Sequence, residues 1–291
     1  MQTRKKMTFF FRFLLLCIVL AVGVGLMAYP FIANYVFENR QDSIVETYEN
    51  TTSAVDKAKT EALISDAEKY NEAIASGHIQ LHDPFSETAV GYEKGDYFKL
   101  LSVDDSNIIG TIEIPSISVS LPVYHGTAVE TLEKGIGHLE GTSLPIGGAS
   151  THCVLTGHTG LSSAKLFTDI SELVEGDLFI LKVLDDKLAY KVDQIKVVEP
   201  TELDDLKIVP GEDLCTLVTC TPYGVNTHRL LVRGTRVPYV DEDVQKAESI
   251  GGTHDNSQWM RQYKRSLAIS CSLILSMLVV TVVKSRKKKQ K

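Results

Sequence analysis

"TLVTCTPYGVNTHRLLVRG", residues 216–234, sets two runs of β-branched and aliphatic residues on either side of a Thr-Pro break and a polar loop. Runs of this kind bounded by turn residues predict two neighbouring strands, 214–220 and 229–236. Cys220 then ends the first strand and Arg229 begins the second, which sets them about 5 Å apart across the ladder. A cation beside a thiol favours the thiolate, which is the nucleophilic form. A guanidinium can also donate hydrogen bonds to a carbonyl oxygen as it becomes an oxyanion. The alternative reading of the same pair is a core cysteine beside a surface arginine.

Five further runs share the β character: "IIGTIEIP" (108–115), "VSLPVYHG" (119–126), "HCVLTGH" (152–158), "DLFILKVL" (177–184) and "LAYKVDQIKVVEP" (188–200). Short strands at this spacing, with turn signals between most of them, predict a mainly β domain closed or nearly closed into a barrel. "SSAKLFTDISELVEGD" (162–177) interrupts them as a short helix and turn. Upstream, residues 42–75 carry apolar side chains at roughly helical spacing with charges between them, which predicts helix; the pattern is too irregular for a coiled-coil heptad.

The two ends differ in character from the body. Phe13–Ala33 is uncharged over 21 residues and Ser266–Val283 over 18, and each is flanked by lysines and arginines. Stretches of that length reach across a hydrocarbon core of about 30 Å as helices. The first has the positive n-region of a signal peptide but no small-x-small cleavage site, which favours its retention as a span. Basic flanks outside both spans predict cytoplasmic termini and a body outside the cell. That body keeps 18 basic against 37 acidic residues, a net charge near −19, which excludes nucleic acid as a partner.

Of the five cysteines, Cys17 and Cys271 fall inside the apolar spans, leaving Cys153, Cys215 and Cys220 in the body. Three cannot all pair. Cys153 and Cys215 sit within apolar runs as small buried hydrophobes, whereas Cys220 stands at a strand end before a turn. A cysteine nucleophile needs a partner that serves as base and acid near pH 7, a role suited to histidine. His78, His82, His125 and His254 lie in polar or turn contexts and read as surface residues. His138 lies in a glycine-flanked loop, His152 lies inside a strand, and His228 projects away from Arg229. His158, in "TGHTG" after a β run, is the best placed; its flanking glycines allow a sharp turn and a close approach by another chain.

"TLVTC" with Arg229 nine residues after its cysteine, and "TGHTG" some sixty residues before it, together resemble the sortase family of Gram-positive bacteria over about residues 75–240. The resemblance implies a membrane-anchored cysteine transpeptidase on an eight-stranded β-barrel with N-terminal helices and two flanking transmembrane helices. Cys220 is similar to the family's nucleophile, His158 to its acid/base and Arg229 to its oxyanion-stabilising residue; no metal or cofactor is implied. "TPYGVNTHRLLVRG", "GIGHLEGTSLPIGG" (135–148) and the second apolar span are similar to the class C, pilus-assembling members. So is "HDPFSE" (82–87), where Asp83, Pro84 and Phe85 match that class's lid over the active site, with Phe where Trp is also found.

The implied order is a basic N-terminus (1–12), a span (13–33), an extracellular helical region (34–75), a lid segment (76–96), the barrel (97–240), a tether (241–265), a second span (266–283) and a basic tail (284–291). The implied partners are the membrane and pilin subunits that carry an LPxTG-type sorting signal and an acceptor lysine. The reaction would cleave between Thr and Gly and polymerise pili. A housekeeping sortase that anchors proteins to peptidoglycan, and a non-catalytic pilin-binding scaffold, are the alternatives.

Overall fold

A computed structural model describes residues 2–77, 81–86, 96–161, 164–251, 264–272, 274 and 276. Eight strands close into a barrel: β1 (Ile108–Ile114), β2 (Val119–His125), β3 (Ile136–His138), β4 (Thr151–Thr156), β5 (Leu178–Val183), β6 (Asp186–Val198), β7 (Asp213–Thr221) and β8 (His228–Val237). Around the barrel they run β1-β2-β3-β4-β7-β8-β6-β5, with β5 returning to β1. The β2–β3 and β4–β7 pairs are parallel and the rest antiparallel. Inward residues such as Ile112, Leu155, Phe179, Tyr190, Leu217 and Val232 fill the interior.

Seven strands coincide with the seven β-type runs; β3 does not. "GIGHLEGT" reads as a loop because its apolar run is three residues long and broken by glycine. Gly137 is nonetheless what lets β3 pair, since a Cβ there would lie 2.3 Å from the Gly126 carbonyl oxygen. His138 is therefore a fully buried strand residue rather than a loop residue, its Nδ1 2.7 Å from the Tyr97 hydroxyl and its Nε2 2.9 Å from the Ser143 carbonyl. His125, expected at the surface, is also buried at the end of β2, where Nε2 donates to the Leu100 carbonyl at 2.8 Å. Burial, reinforced by His138, pushes its pKa down to about 4, so it is neutral.

The expected helix is two helices, α1 (Gln2–Ser53) and α2 (Lys57–Ser76). α1 ends where Thr51, Thr52 and Ser53 turn their hydroxyls back onto the Thr47, Glu49 and Asn50 carbonyls, a habit that competes with helix propagation. Its C-terminal half packs on β1 and β2 through Val45 and Tyr48, and Lys182 bridges Glu49 of α1 and Glu113 of β1. In its N-terminal half Leu15, Val19, Val22 and Leu26 are exposed. Among the described residues no helix is long and apolar enough to cross a membrane, so the two expected spans are unsupported here. Part of the second apolar stretch and the basic tail lie outside the described residues.

α2 is fixed by Asn71, whose buried amide donates to the Leu144 carbonyl at 3.2 Å and accepts from the Leu144 N–H at 2.7 Å. A short α3 (Val129–Leu132) leads into β3. Of the expected helix at 162–177, residues Thr168–Glu172 form a 3-10 turn. The start of the expected tether is helical, α4 (Asp241–Gly251), which packs on the Pro115–Ile117 turn; residues 252–263 lie outside the described residues.

Candidate active site

The parallel pairing of β4 with β7 runs in register from Thr151 with Asp213 to Thr156 with Val218. Beyond it the Gly157 N–H donates to the Val218 carbonyl at 3.1 Å, and Thr219 Oγ1 donates to the Gly157 carbonyl at 2.7 Å. Two residues past Thr156 is His158, and two past Val218 is Cys220, so the same register brings both to one end of adjacent strands. On the other side of β7, Cys220 is the antiparallel partner of Arg229, as the opening stretch of sequence predicts. His158, Cys220 and Arg229 thus stand side by side on three consecutive strands of the barrel.

Gly157 is required at the bend. A Cβ there would lie 2.7 Å from Ile136 and 2.8 Å from the Phe167 ring, and Phe167 also donates its N–H to the His158 carbonyl. Gly160, with φ +78°, lies beneath the Tyr223 ring, so the loops after His158 and after Cys220 lean on each other. The Thr221-Pro222 peptide bond that follows Cys220 is cis.

Strand alternation places the thiol on the outer face of the barrel. Cys215 and Leu217 point into the core, whereas Val218 packs outside with Val154, Leu231, Val198, Leu206 and Leu139. This outer apolar groove leads to Cys220 and is covered by Leu81 and Phe85. Asp83 to Ser86 form a turn, closed by the Ser86 N–H on the Asp83 carbonyl, with Pro84 at its second position where a fixed φ suits a turn. The turn aims two side chains at the three strand-end residues. Asp83 grips Arg229 bidentately, Oδ1 to Nε at 2.7 Å and Oδ2 to Nη2 at 2.6 Å. The Phe85 ring lies 5.5 Å from the His158 ring and 5.1 Å from the Arg229 guanidinium carbon. Arg229 Nη1 is held by the Asn226 and His228 carbonyls.

Electrostatics in this arrangement differ from the expectation of a ready thiolate. Burial pushes the Cys220 thiol above its ordinary range; Arg229 opposes that and Asp83 adds to it. Burial also pushes His158 below the usual imidazole value, against a pull upward from Glu133. Both groups are therefore neutral at pH 7. Glu133, at the end of α3, is an acid that sequence reasoning did not single out, because nothing in the chain's order links α3 to His158.

Of the other candidates, Cys153 and Cys215 are buried register partners on β4 and β7, as their apolar context implied. His152 is buried in β4, His228 pairs with Glu199 at 3.1 Å, and His82 is exposed. His78 and His254 lie outside the described residues, as do 78–80 and 87–95 of the expected lid segment.

The sortase domain family matches residues 112–237, a span that holds all three strand-end residues. Sortase A of Bacillus anthracis is 27% identical over 222 residues, covering 76% of this chain and 91% of its own. The crystal structure of sortase C-1 from Streptococcus pneumoniae superposes with a TM-score of 0.64 at 47% identity, covering 68% of this chain and all of that one. Sortase C1 of GBS Pilus Island 1 does so at 0.63 and 44%, covering 69% and 94%. With the barrel, the groove and identities of this size over nearly whole relatives, the chain belongs to the sortase family of cysteine transpeptidases, and its structural neighbours are class C members.

Proposed function

We propose that this sortase joins pilin subunits, with Cys220 as nucleophile, His158 as acid and base, and Arg229 as the oxyanion donor. The observation that carries the proposal is the alignment of these three on adjacent strand ends beneath Asp83 and Phe85. In the closed state Arg229 is occupied and Cys220 is a neutral thiol, so the lid is inhibitory. Once the lid withdraws, the thiol proton passes to His158 and the thiolate attacks the Thr carbonyl of an LPxTG-type signal. Arg229, freed from Asp83, holds the oxyanion through Nε–H and Nη2–H. As the Thr–Gly bond breaks, the imidazolium gives its proton to the departing glycine amine and a thioester remains on Cys220. A neutral lysine ε-amine of the next subunit then attacks the thioester, His158 takes its proton, and the thiolate leaves as the isopeptide bond closes. Shelter in the groove limits attack by water.

Membrane attachment belongs to the same proposal. The exposed apolar side chains of α1 and the basic flanks of both apolar stretches suit an anchor with cytoplasmic termini and an extracellular barrel.

Incubating the full chain with pilins and sequencing the cross-linked product by mass spectrometry tests the assignment. A Thr-to-lysine isopeptide lost in Cys220→Ala is expected. Transfer onto a peptidoglycan precursor amine instead would favour a housekeeping role, and undiminished polymer from Cys220→Ala would refute the enzyme reading.

A further inference from the structure

The groove that seats Leu81–Phe85 does not end at Leu81. Beyond it a cavity of about 730 Å³ opens, floored by Thr142 and His152 and walled by Ile74, Leu206, Ile208 and Pro210. His152 lies two residues before Val154 on β4, and its Nε2 is 2.7 Å from Oγ1 of Thr216, which lies two before Val218 on β7. The cavity is therefore on the same outer face as the groove and further from the thiol. Four residues of β7 separate Thr216 from Cys220, about 13 Å at the rise of a strand.

The lid segment gives the direction in which a chain lies there. Leu81 packs on the apolar groove and borders the cavity, Asp83 grips Arg229, and Phe85 reaches His158, so the segment runs toward the catalytic end. A sorting peptide extended in that direction, with its Thr carbonyl at Cys220, has its Leu three residues back, about 10 Å away. The two residues before that Leu then lie about 13–17 Å from the thiol, the depth of His152 and Thr216.

We propose that this cavity is a subsite for the residues immediately N-terminal to the sorting pentapeptide and that it selects an apolar side chain there. The inference rests on the sortase reading above and deepens it, since it makes the sequence upstream of the motif a determinant of which substrate is chosen. The walls are apolar at Ile74, Leu206, Ile208 and Pro210, and the polar groups of the lining are already engaged: the Lys207 ammonium pairs with Asp204, and Ser150 Oγ accepts from the Gly211 N–H. His152 Nδ1 donates to the Lys207 carbonyl at 2.8 Å, and Thr142 Oγ1 donates to the Leu139 carbonyl at 2.6 Å while accepting from the Val154 N–H. Burial also holds His152 below its ordinary pKa, so it offers no charge to an acidic residue.

The test is fluorescence anisotropy with the full chain carrying Cys220→Ala and Asp83→Ala, which neither turns over substrate nor keeps the Asp83 clamp. Three labelled peptides are compared: the LPxTG core alone, the core preceded by Ala-Leu, and the core preceded by Asp-Asp. The apolar extension is expected to tighten binding about tenfold, the size of burying one aliphatic side chain, and the acidic extension to give no gain. Ile208→Asp should bring the apolar-extended peptide back to the affinity of the core. Equal binding of core and apolar-extended peptides, or an equal gain from the acidic extension, overturns the subsite alone, and the peptide comparison stands even where Ile208→Asp does not fold. Failure of every peptide to bind, with none cleaved by the wild-type chain, removes the proposed action on LPxTG-type signals and the subsite with it.

Discussion

Arg229 has one guanidinium and two claimants. Asp83 takes Nε and Nη2, the donors proposed for the oxyanion, so the proposed inhibition and the proposed catalysis draw on the same hydrogen bonds. Replacing Arg229 by Lys keeps the charge and loses the planar fork. The expected loss is about 2–4 kcal/mol of transition-state stabilisation, read as a fall in kcat of roughly a hundredfold. Asp83→Ala acts in the opposite sense. Burial and then Asp83 hold the Cys220 thiol up while Arg229 pulls it down, so removing the carboxylate lowers that pKa. A thiol with a raised pKa is protonated below it, and alkylation accelerates with rising pH until the thiolate predominates. The alkylation profile of Asp83→Ala should therefore shift to lower pH than wild type; an unchanged midpoint would detach Asp83 from the thiol's electrostatics.

At the scale of elements, the proposed lid follows α2 in the chain, and α2 hangs on Asn71. Asn71→Ala leaves the N–H and carbonyl of Leu144 without their partner, a cost of about 1–3 kcal/mol that a thermal melt would read as a lower Tm. Asp83→Ala with Phe85→Ala should raise the rate of Cys220 alkylation at fixed pH by removing both the clamp and the ring over His158; equal rates in two folded proteins would remove the lid from the mechanism. Gly157→Ala should destabilise the fold by about 1–3 kcal/mol by forcing a methyl into Ile136 and Phe167, and should disturb His158 with it.

Seven strands and the Cys220–Arg229 pairing were legible because antiparallel neighbours are set by local turns and residue type. β3 was not, because its pairing depends on a glycine that weakens its own β signal. The adjacency of His158 to Cys220 was not derivable either, since a parallel pair joined through two intervening strands leaves no mark in local sequence. The family resemblance supplied that link, and His125 and His138 show that a polar or glycine-rich context does not report burial.

Across the whole molecule, an acidic barrel is joined to a helix whose first half exposes aliphatic side chains. Burial of such side chains in lipid would remove that exposure at about 25 cal/mol per Å² of apolar surface. The full chain is accordingly expected in the membrane fraction, and a chain shortened to residues 34–251 in the soluble one with its Cys220 alkylation profile preserved. Recovery of both in the soluble fraction would argue against an anchor. The barrel itself should tolerate the shortening, because α1 meets it through its C-terminal half: Val45 and Tyr48 are buried, Gln41 donates to the Lys134 carbonyl and Glu49 pairs with Lys182 of β5.

For inhibitor discovery, the proposed clamp between Asp83 and Arg229 would change what a screen measures. If the segment inhibits as proposed, a compound aimed at Cys220 meets its target only in the fraction of molecules whose clamp is open, and its apparent affinity is its intrinsic affinity diluted by that fraction. Every 1.4 kcal/mol by which closure is favoured weakens the observed potency about tenfold. Potencies ranked against a lidless variant would overstate those against the intact chain by the same factor. A small molecule carrying a carboxylate and an aromatic ring at the spacing of Asp83 and Phe85 would instead compete for Arg229 and hold the enzyme through its own closing contacts.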